Sequence, residues 1–238
     1  MKRYTEIFWL TTHAKKDVYP WVDTAFAEPK HFYPLLRMER QGASYLQCPA
    51  LSSTFKNSFV ITAPFDLTIT CNRATGTVST DRYAQAFYDD FITVRPSANA
   101  KLPILISISI CYLFFAHESV EIEVRDAPLI TSESTKNIKL VPGRFNISKW
   151  LRPLEFAFEI IDDTKPVTIK TGDPLFMVTF TTPNNKPVKL TRKIETPEIS
   201  AAFVAFTRLK EIRPNLKLSE CYDLASNFIN AIKRWLIK

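Results

Sequence analysis

The chain has 238 residues, of which 46% are hydrophobic and 23% are charged, and its formal net charge is +7. This composition is ordinary for a soluble globular protein, and the length suffices for one large β-rich domain with its own core. Only four glycines and three histidines occur, and they are scattered along the sequence. Their scarcity argues against a glycine-rich phosphate loop and against a histidine-based metal motif.

The spacing of the cysteines indicates whether they form disulfides or a metal site. No Cys-x-x-Cys motif is formed by Cys48, Cys71, Cys111 and Cys221. We therefore expect reduced thiols, no metal site and a cytoplasmic protein. The longest apolar run, residues 103–116, is too short to span a membrane.

A succession of short strands dominates the first 191 residues. Alternation and turn residues predict strands at 4–11, 59–61, 65–71, 77–80, 88–94, 104–115, 120–124, 138–141, 154–160, 167–169, 175–181 and 188–191. Regular spacing of this kind is typical of a mainly β fold, either a jelly-roll-like sandwich or a distorted barrel. A segment of about 12–57, rich in proline and aromatic residues, predicts a long ordered arm.

Residues 104–115 give the clearest strand. Isoleucine or an aromatic residue occupies every even position from 104 to 114, and the odd positions are mostly small or apolar as well. A strand with two such faces must lie in the centre of a sheet that is covered on both sides. The 18 phenylalanines predict a thick aromatic core or an aromatic-lined cavity.

The pattern changes to helical after residue 195. Thr196-Pro197-Glu198 is a helix start, and Ser219-Glu220 opens a second amphipathic helix. We therefore divide the chain into a β-domain, 1–195, and a C-terminal helical segment, 196–238. From residue 186 onward there are eleven Lys or Arg and five Asp or Glu, so most of the net charge lies there. Candidate residues for contact with another chain are Leu224, Phe228, Ile232, Lys233, Arg234 and Trp235.

The densest mixture of cations and aromatic residues lies between residues 142 and 153. Its candidate ligand-binding residues are Arg144, Asn146, Lys149, Trp150 and Arg152. Three cations beside an indole predict either an anion-binding or base-stacking surface, or a loop whose aromatic residues dock on the core.

Catalytic patterns are sparse. A metal oxygenase would need two histidines and a carboxylate, and His117-Glu118 has the wrong spacing for such a motif. No Gly-x-Ser-x-Gly elbow occurs. The strand carboxylates Glu121/Glu123 and Glu155/Glu159 resemble glycosidase pairs in type, but alternation with apolar neighbours favours solvent-facing positions. We assign no catalytic residue, no metal ligand and no cofactor.

A local resemblance concerns residues 167–180, where Gly172-Asp173 lies between two strands. This segment resembles the strand–turn–strand of jelly-roll and β-clip proteins, dUTPases included. Gly172 would supply the turn geometry and Asp173 would bond its own backbone. The uridine-binding motif and the glycine-rich C-terminal arm of dUTPases are not visible in this sequence.

A broader resemblance runs through about residues 30–182. It rests on Tyr33-Pro34, Cys48-Pro49-Ala50, Pro64-Phe65-Asp66-Leu67, Phe145-Asn146-Ile147 and Gly172-Asp173-Pro174-Leu175. In this order the motifs resemble a group of uncharacterised proteins from tailed bacteriophages and bacteria. The resemblance implies a phage origin, with the host cytoplasm or the virion as location, and no established activity.

We expect a non-enzymatic structural or partner-binding protein of phage type that self-associates or binds a protein partner. One alternative is an enzyme of cupin or β-clip type that binds a small molecule or nucleotide in the aromatic interior. Another is nucleic-acid binding through the basic loop and tail, with an affinity that falls steeply with salt. His117, Glu118 or Asp66 converging inside the β-domain would favour the enzyme, whereas a solid Phe/Ile core would favour the non-enzymatic protein.

Overall fold

A computed structural model describes residues 3–205 except 14, 16, 81–84, 96–102, 131, 198 and 202, together with 217, 219, 220, 222 and 223. The strands are β1 Thr5–Thr11, β2 Lys30–His31, β3 Ser58–Thr62, β4 Leu67–Asn72, β5 Thr77–Thr80, β6 Ile92–Arg95, β7 Leu105–Ala116, β8 Glu121–Arg125, β9 Ile138–Leu140, β10 Gly143–Asn146, β11 Pro153–Ile160, β12 Val167–Ile169, β13 Pro174–Thr181 and β14 Val188–Arg192. The helices are α1 Phe32–Glu39, α2 Pro49–Thr54, α3 Gln85–Phe91 and α4 Glu133–Lys136.

Three sheets build the β-domain. The large sheet has the order β14-β1-β7-β11-β9, with β6 also paired to β7. The second sheet has the order β10-β8-β13-β3-β2, and the small sheet has the order β12-β4-β5. Within the part of the chain that the structure describes, these sheets do not close into a barrel. The predicted mainly β fold is confirmed, and its sandwich form is the one that the sheets adopt.

Aromatic and branched side chains fill the space between the sheets. The rings of Phe156 and Phe176 stack at 5.8 Å between centroids, and those of Phe114 and Phe180 meet edge-on at 5.4 Å. Each pair joins the large sheet to the second sheet. Leu67 and Val167 bring the small sheet into the same core. The expected aromatic core is therefore confirmed.

Strand β7 occupies the centre of the large sheet, as its two apolar faces predict. Its even-numbered side chains enter the main core, and Leu113 and Phe115 enter a second cluster on the opposite face. Ile199, from the helical residues that begin at 197, covers this second cluster. The pairing of β7 with β11 is irregular near Cys111, which has a φ of 58°. Burial raises the pKa of the Cys111 thiol to about 12.

The described residues of the proline- and aromatic-rich arm pack on the β-domain. Trp21 stacks against Phe91 at 5.3 Å between ring centroids. The buried hydroxyl of Tyr112 donates a hydrogen bond to the carbonyl of Ala27 at 2.5 Å, which fastens the arm to β7. The arm also contains α1, which the sequence pattern does not show. Pro34 lies in the first turn of that helix, where proline is tolerated because its missing N–H would have no partner there.

Two local predictions are wrong. Residues 88–91, expected to begin a strand, belong to α3, and only Ile92–Arg95 pairs with β7. Residues 143–146, expected to lie in a loop, form β10 and pair with β8. The strand was missed because β10 is only four residues long and neither of its faces is completely buried, so its sequence lacks an apolar repeat.

The C-terminal segment begins as the sequence predicts. Ser200 N–H donates to the carbonyl of Thr196 at 3.0 Å, which closes the first helical turn. Residues 219, 220, 222 and 223 are also helical, and Tyr222 packs against the second cluster. The candidate contact residues Leu224, Phe228, Ile232, Lys233, Arg234 and Trp235 lie outside the described residues. No helix among the described residues is both long enough and apolar enough to cross a membrane.

The predicted Gly172-Asp173 turn is present. Gly172 has a φ of 88°, and Asp173 Oδ2 accepts a hydrogen bond from the backbone N–H of Lys170 at 3.0 Å. We expect Gly172→Ala to lower the free energy of unfolding by about 1–2 kcal/mol, because a Cβ disfavours left-handed backbone. Urea denaturation measures the change. Gly143→Ala is the control, since Gly143 has no positive φ and its Cβ would meet open space. Equal losses in the two variants would contradict this explanation.

Candidate functional site

A cavity of about 400 Å³ opens on the outer face of the large sheet, where β6, β7 and β11 lie side by side. Its floor carries side chains that point away from the core, among them Arg95, Ser107 and Glu155. The chain between β9 and β11 forms its wall. We call this cavity the arginine cleft, after Arg95, Arg144 and Arg152, which all line it.

The three arginines come from different elements and have different partners. Arg144 Nε donates to Glu121 Oε2 at 3.0 Å, and this bond raises the pKa of the guanidinium above its ordinary value. Arg152 Nη2 lies 3.1 Å from Glu155 Oε1. Among the described residues, Arg95 makes no ion pair and is exposed. Among the described residues that line the cleft, three guanidinium groups accompany one carboxylate, that of Glu155, whereas Glu121 and Glu123 on β8 offset the charge of Arg144 from outside it.

Glu155 is held from two sides. Besides its contact with Arg152, its Oε2 accepts a hydrogen bond from Ser107 Oγ at 2.9 Å. Ser107 is buried and lies on the neighbouring strand β7. A charge-assisted bond fixes the direction of a planar guanidinium. Because Ser107 holds the Glu155 carboxylate in place, that carboxylate orients the guanidinium of Arg152 at the cleft.

Trp150 forms part of the wall and is only 8% exposed. The Arg152 guanidinium lies 5.6 Å from the centroid of its ring. Phe145 and Tyr222 meet the ring edge-on, at 5.8 and 6.2 Å between centroids. The indole is therefore packed among protein groups, which does not favour its use as a platform for base stacking.

Asn146 and Lys149, the other two predicted residues, do not line the cleft. Asn146 is buried, and its Oδ1 accepts hydrogen bonds from Ser148 N–H at 2.9 Å and from Ser148 Oγ at 2.7 Å. Its Nδ2 donates to Ser119 Oγ at 2.9 Å. These bonds fix the turn that leads to Trp150. Lys149 is exposed, with Nζ 5.9 Å from the centroid of the Tyr222 ring.

The fold therefore brings together three of the five predicted residues, Arg144, Trp150 and Arg152, and adds Arg95, Ser107 and Glu155. Arg95 and Ser107 lie on β6 and β7, and only strand register places them beside the predicted cluster, whereas Glu155, on β11, is three residues from Arg152 in sequence. Glu155 has a recognisable signal, a carboxylate three residues after Arg152. Arg95 has none, because a single arginine at a strand end is common.

The residues that would favour an enzyme lie at the surface. His117 and Glu118 are exposed, and Asp66 accepts hydrogen bonds from Thr171 N–H at 2.7 Å and Thr171 Oγ1 at 2.8 Å. In the described ranges, no three His, Cys, Asp or Glu side chains are grouped so that they could hold a metal ion. Cys48, Cys71 and Cys111 are unpaired thiols.

A second polar network holds the start of the arm against α3. The carboxylate of Asp90 accepts a hydrogen bond from Tyr19 Oη at 2.6 Å and contacts Lys15 Nζ at 2.5 Å. Both bonds lower the pKa of Asp90. His13 stacks on Phe91 at 4.3 Å between centroids, and burial lowers its pKa below the ordinary 6.5.

This network predicts that acidification weakens the fold. Because His13 resists protonation when folded, the unfolded chain binds more protons below its ordinary pKa, and stability falls from about pH 7 to about pH 5. We expect His13→Phe to reduce that fall, measured by urea denaturation at both pH values. His117→Gln, at an exposed histidine, is the control. An unchanged fall in His13→Phe would show that other groups account for it, such as His31, whose pKa is also lowered by burial.

Comparisons with known proteins add no relative. No protein-family model matches the chain, and no curated protein matches it. The resemblance to phage and bacterial proteins therefore stays a prediction, and the functional argument rests on the geometry of the molecule itself.

Proposed function

We propose that this chain is a non-enzymatic binding protein and that the arginine cleft is the surface with which it binds an anionic ligand or partner. The observation that carries the proposal is the convergence of Arg95, Arg144 and Arg152 on one cavity. Guanidinium groups match the geometry of oxyanions, and three of them in a half-enclosed space favour anion binding over a purely structural role.

The filled interior supports the non-enzymatic half of the proposal. Phe114, Phe156 and Phe176 are buried in the interior, where the alternative enzyme of cupin or β-clip type was expected to bind a small molecule. Polar groups that would perform chemistry there, such as His117 and Glu118, are exposed instead. A phage-type role in binding or assembly, as the sequence resemblance implies, is compatible with this arrangement.

Nucleic-acid binding through the same loop is less well supported. Base stacking needs an accessible aromatic face, and Trp150 is packed against Arg152, Phe145 and Tyr222. The cleft offers charge without a stacking platform.

The test uses the full chain labelled with 5-fluorotryptophan and followed by fluorine NMR. The chain has four tryptophans, and Trp150→Phe identifies the resonance of the one beside the cleft. Titration with citrate and with pyrophosphate at constant ionic strength should shift that resonance saturably for at least one anion, and neither anion should be consumed. If neither shifts it, or if Arg144→Gln/Arg152→Gln binds as well as the unmodified chain, the proposal fails.

A further inference from the structure

We propose that the ligand of the arginine cleft is a phosphate monoester carried by a small organic molecule. This inference rests on the proposed function and adds the chemical class of the ligand. It is argued from the number and origin of the arginines, from the carboxylates already present, and from the apolar part of the lining.

The arginines approach the cavity from three elements. Arg95 ends β6, Arg144 lies on β10, and Arg152 immediately precedes β11. A carboxylate has two coplanar oxygens and is satisfied by one or two guanidinium groups. A phosphate monoester has three terminal oxygens in a tetrahedral arrangement and can accept hydrogen bonds from guanidinium groups on several sides.

Internal carboxylates already compete for the cleft. Glu121 and Glu155 are tethered beside Arg144 and Arg152, so a monocarboxylate ligand would have to displace groups of its own kind at high local concentration. A phosphate monoester carries about −1.5 to −2 charges near neutral pH. It therefore attracts the arginines of the cleft more strongly than either tethered carboxylate does alone, and Arg95 offers it a cation that makes no ion pair among the described residues.

The apolar part of the lining provides a surface against which the organic part of the ligand can pack. Leu105, Val141 and Phe145 contribute apolar surface to the same cavity. A volume of about 400 Å³ is that of a small-molecule site. Inorganic phosphate would leave this apolar surface uncovered, whereas an ester would bury it.

The experiment compares phenyl phosphate, phthalate and inorganic phosphate, using the Trp150 fluorine resonance at constant ionic strength. Phenyl phosphate and phthalate share a benzene ring and a charge close to −2, so they differ in the oxyanion. We expect phenyl phosphate to bind at least about tenfold more tightly than either of the other two, as one additional charge-assisted hydrogen bond would give.

Any other order of affinities overturns one part of the proposal, either the phosphate or the ester. Equal or tighter binding of phthalate would overturn the phosphate assignment, and equal binding of inorganic phosphate would overturn the ester. In both cases, binding to the cleft would leave the proposed function standing. If phenyl phosphate, phthalate, citrate and pyrophosphate all leave the Trp150 resonance unmoved, the inference and the proposed function fail together.

Variants test the site itself. Arg95→Gln should weaken binding of phenyl phosphate about tenfold or more, and because Arg95 is exposed its replacement should leave the fold intact. Arg37→Gln is the matched control, since Arg37 is an exposed arginine on α1, outside the cleft. Equal affinities in the two variants would overturn the assignment of Arg95. Urea denaturation of both variants checks that they remain folded.

Discussion

Replacing Phe156 by alanine should lower the free energy of unfolding by about 3–5 kcal/mol, the largest loss that we expect from a single substitution in this chain. Phe156 is fully buried on β11. Its ring lies 4.8 Å from that of Phe158 and 5.8 Å from that of Phe176, measured between centroids. Its removal would leave a cavity between the large and second sheets, where neighbouring rings on paired strands have little room to collapse inward.

Urea denaturation at neutral pH measures the loss. Met38→Ala is the control, because Met38 is 78% exposed on α1, and a surface truncation of this kind changes stability by no more than about 0.5 kcal/mol. Phe156→Leu should fall between the two, since leucine refills part of the space. A loss below about 1 kcal/mol in Phe156→Ala would contradict the packing of the sandwich described above.

Replacing Asn146 by alanine should cost about 2–3 kcal/mol and should also weaken the arginine cleft. The substitution removes two hydrogen bonds to Ser148 and one to Ser119. Because Ser148 is buried, its N–H and hydroxyl would lose a partner without gaining water. The turn that carries Trp150 and Arg152 would then be held less firmly, and phenyl phosphate should bind less tightly.

Asn72→Ala provides a matched comparison. Asn72 Oδ1 also accepts hydrogen bonds from nearby backbone, at 3.0 Å from Ala74 N–H and 3.2 Å from Thr75 N–H, but that turn is exposed. Water can replace such bonds, so we expect a loss of less than about 1 kcal/mol and an unchanged ligand affinity. Similar losses of stability in the two asparagine variants would show that burial of the Asn146 network is not what makes it important.

Strand patterning was the most predictable property of the fold. Alternation placed β8 and β11 within one residue of their observed limits, and the two apolar faces of residues 104–115 placed β7 at the centre of a sheet. These strands bury at least one face completely, and a buried face requires apolar residues at every second position of the sequence. Where burial is partial, as in β10, or where a helix is as short as α3, the apolar repeat covers too few residues to predict the element.

The candidate site was predictable only in part, for a related reason. Arg144, Trp150 and Arg152 are close in sequence, so composition alone marks them. Arg95 and Ser107 join them through the pairing of β7 with β6 and β11, and a single sequence does not show that register. Asn146 was predicted wrongly for the opposite reason. It is close in sequence to the ligand-binding residues and was grouped with them, but its side chain bonds to Ser148 and Ser119 and does not line the cleft.

The parallel pairing of β1 with β14 bears on the order in which the chain folds during synthesis. Thr5 lies beside Val188, and the opposite edge of β1 pairs with residues 112–116 of β7. During synthesis, β1 can therefore form its sheet hydrogen bonds only after distant segments have been made, first β7 and finally β14. Until residue 188 has left the ribosome, one edge of β1 stays open beside Ile7 and Trp9, and an open apolar edge invites pairing with other chains. Ribosomes stalled before that point should hold chains that aggregate or recruit chaperones, whereas chains released beyond it can close the large sheet.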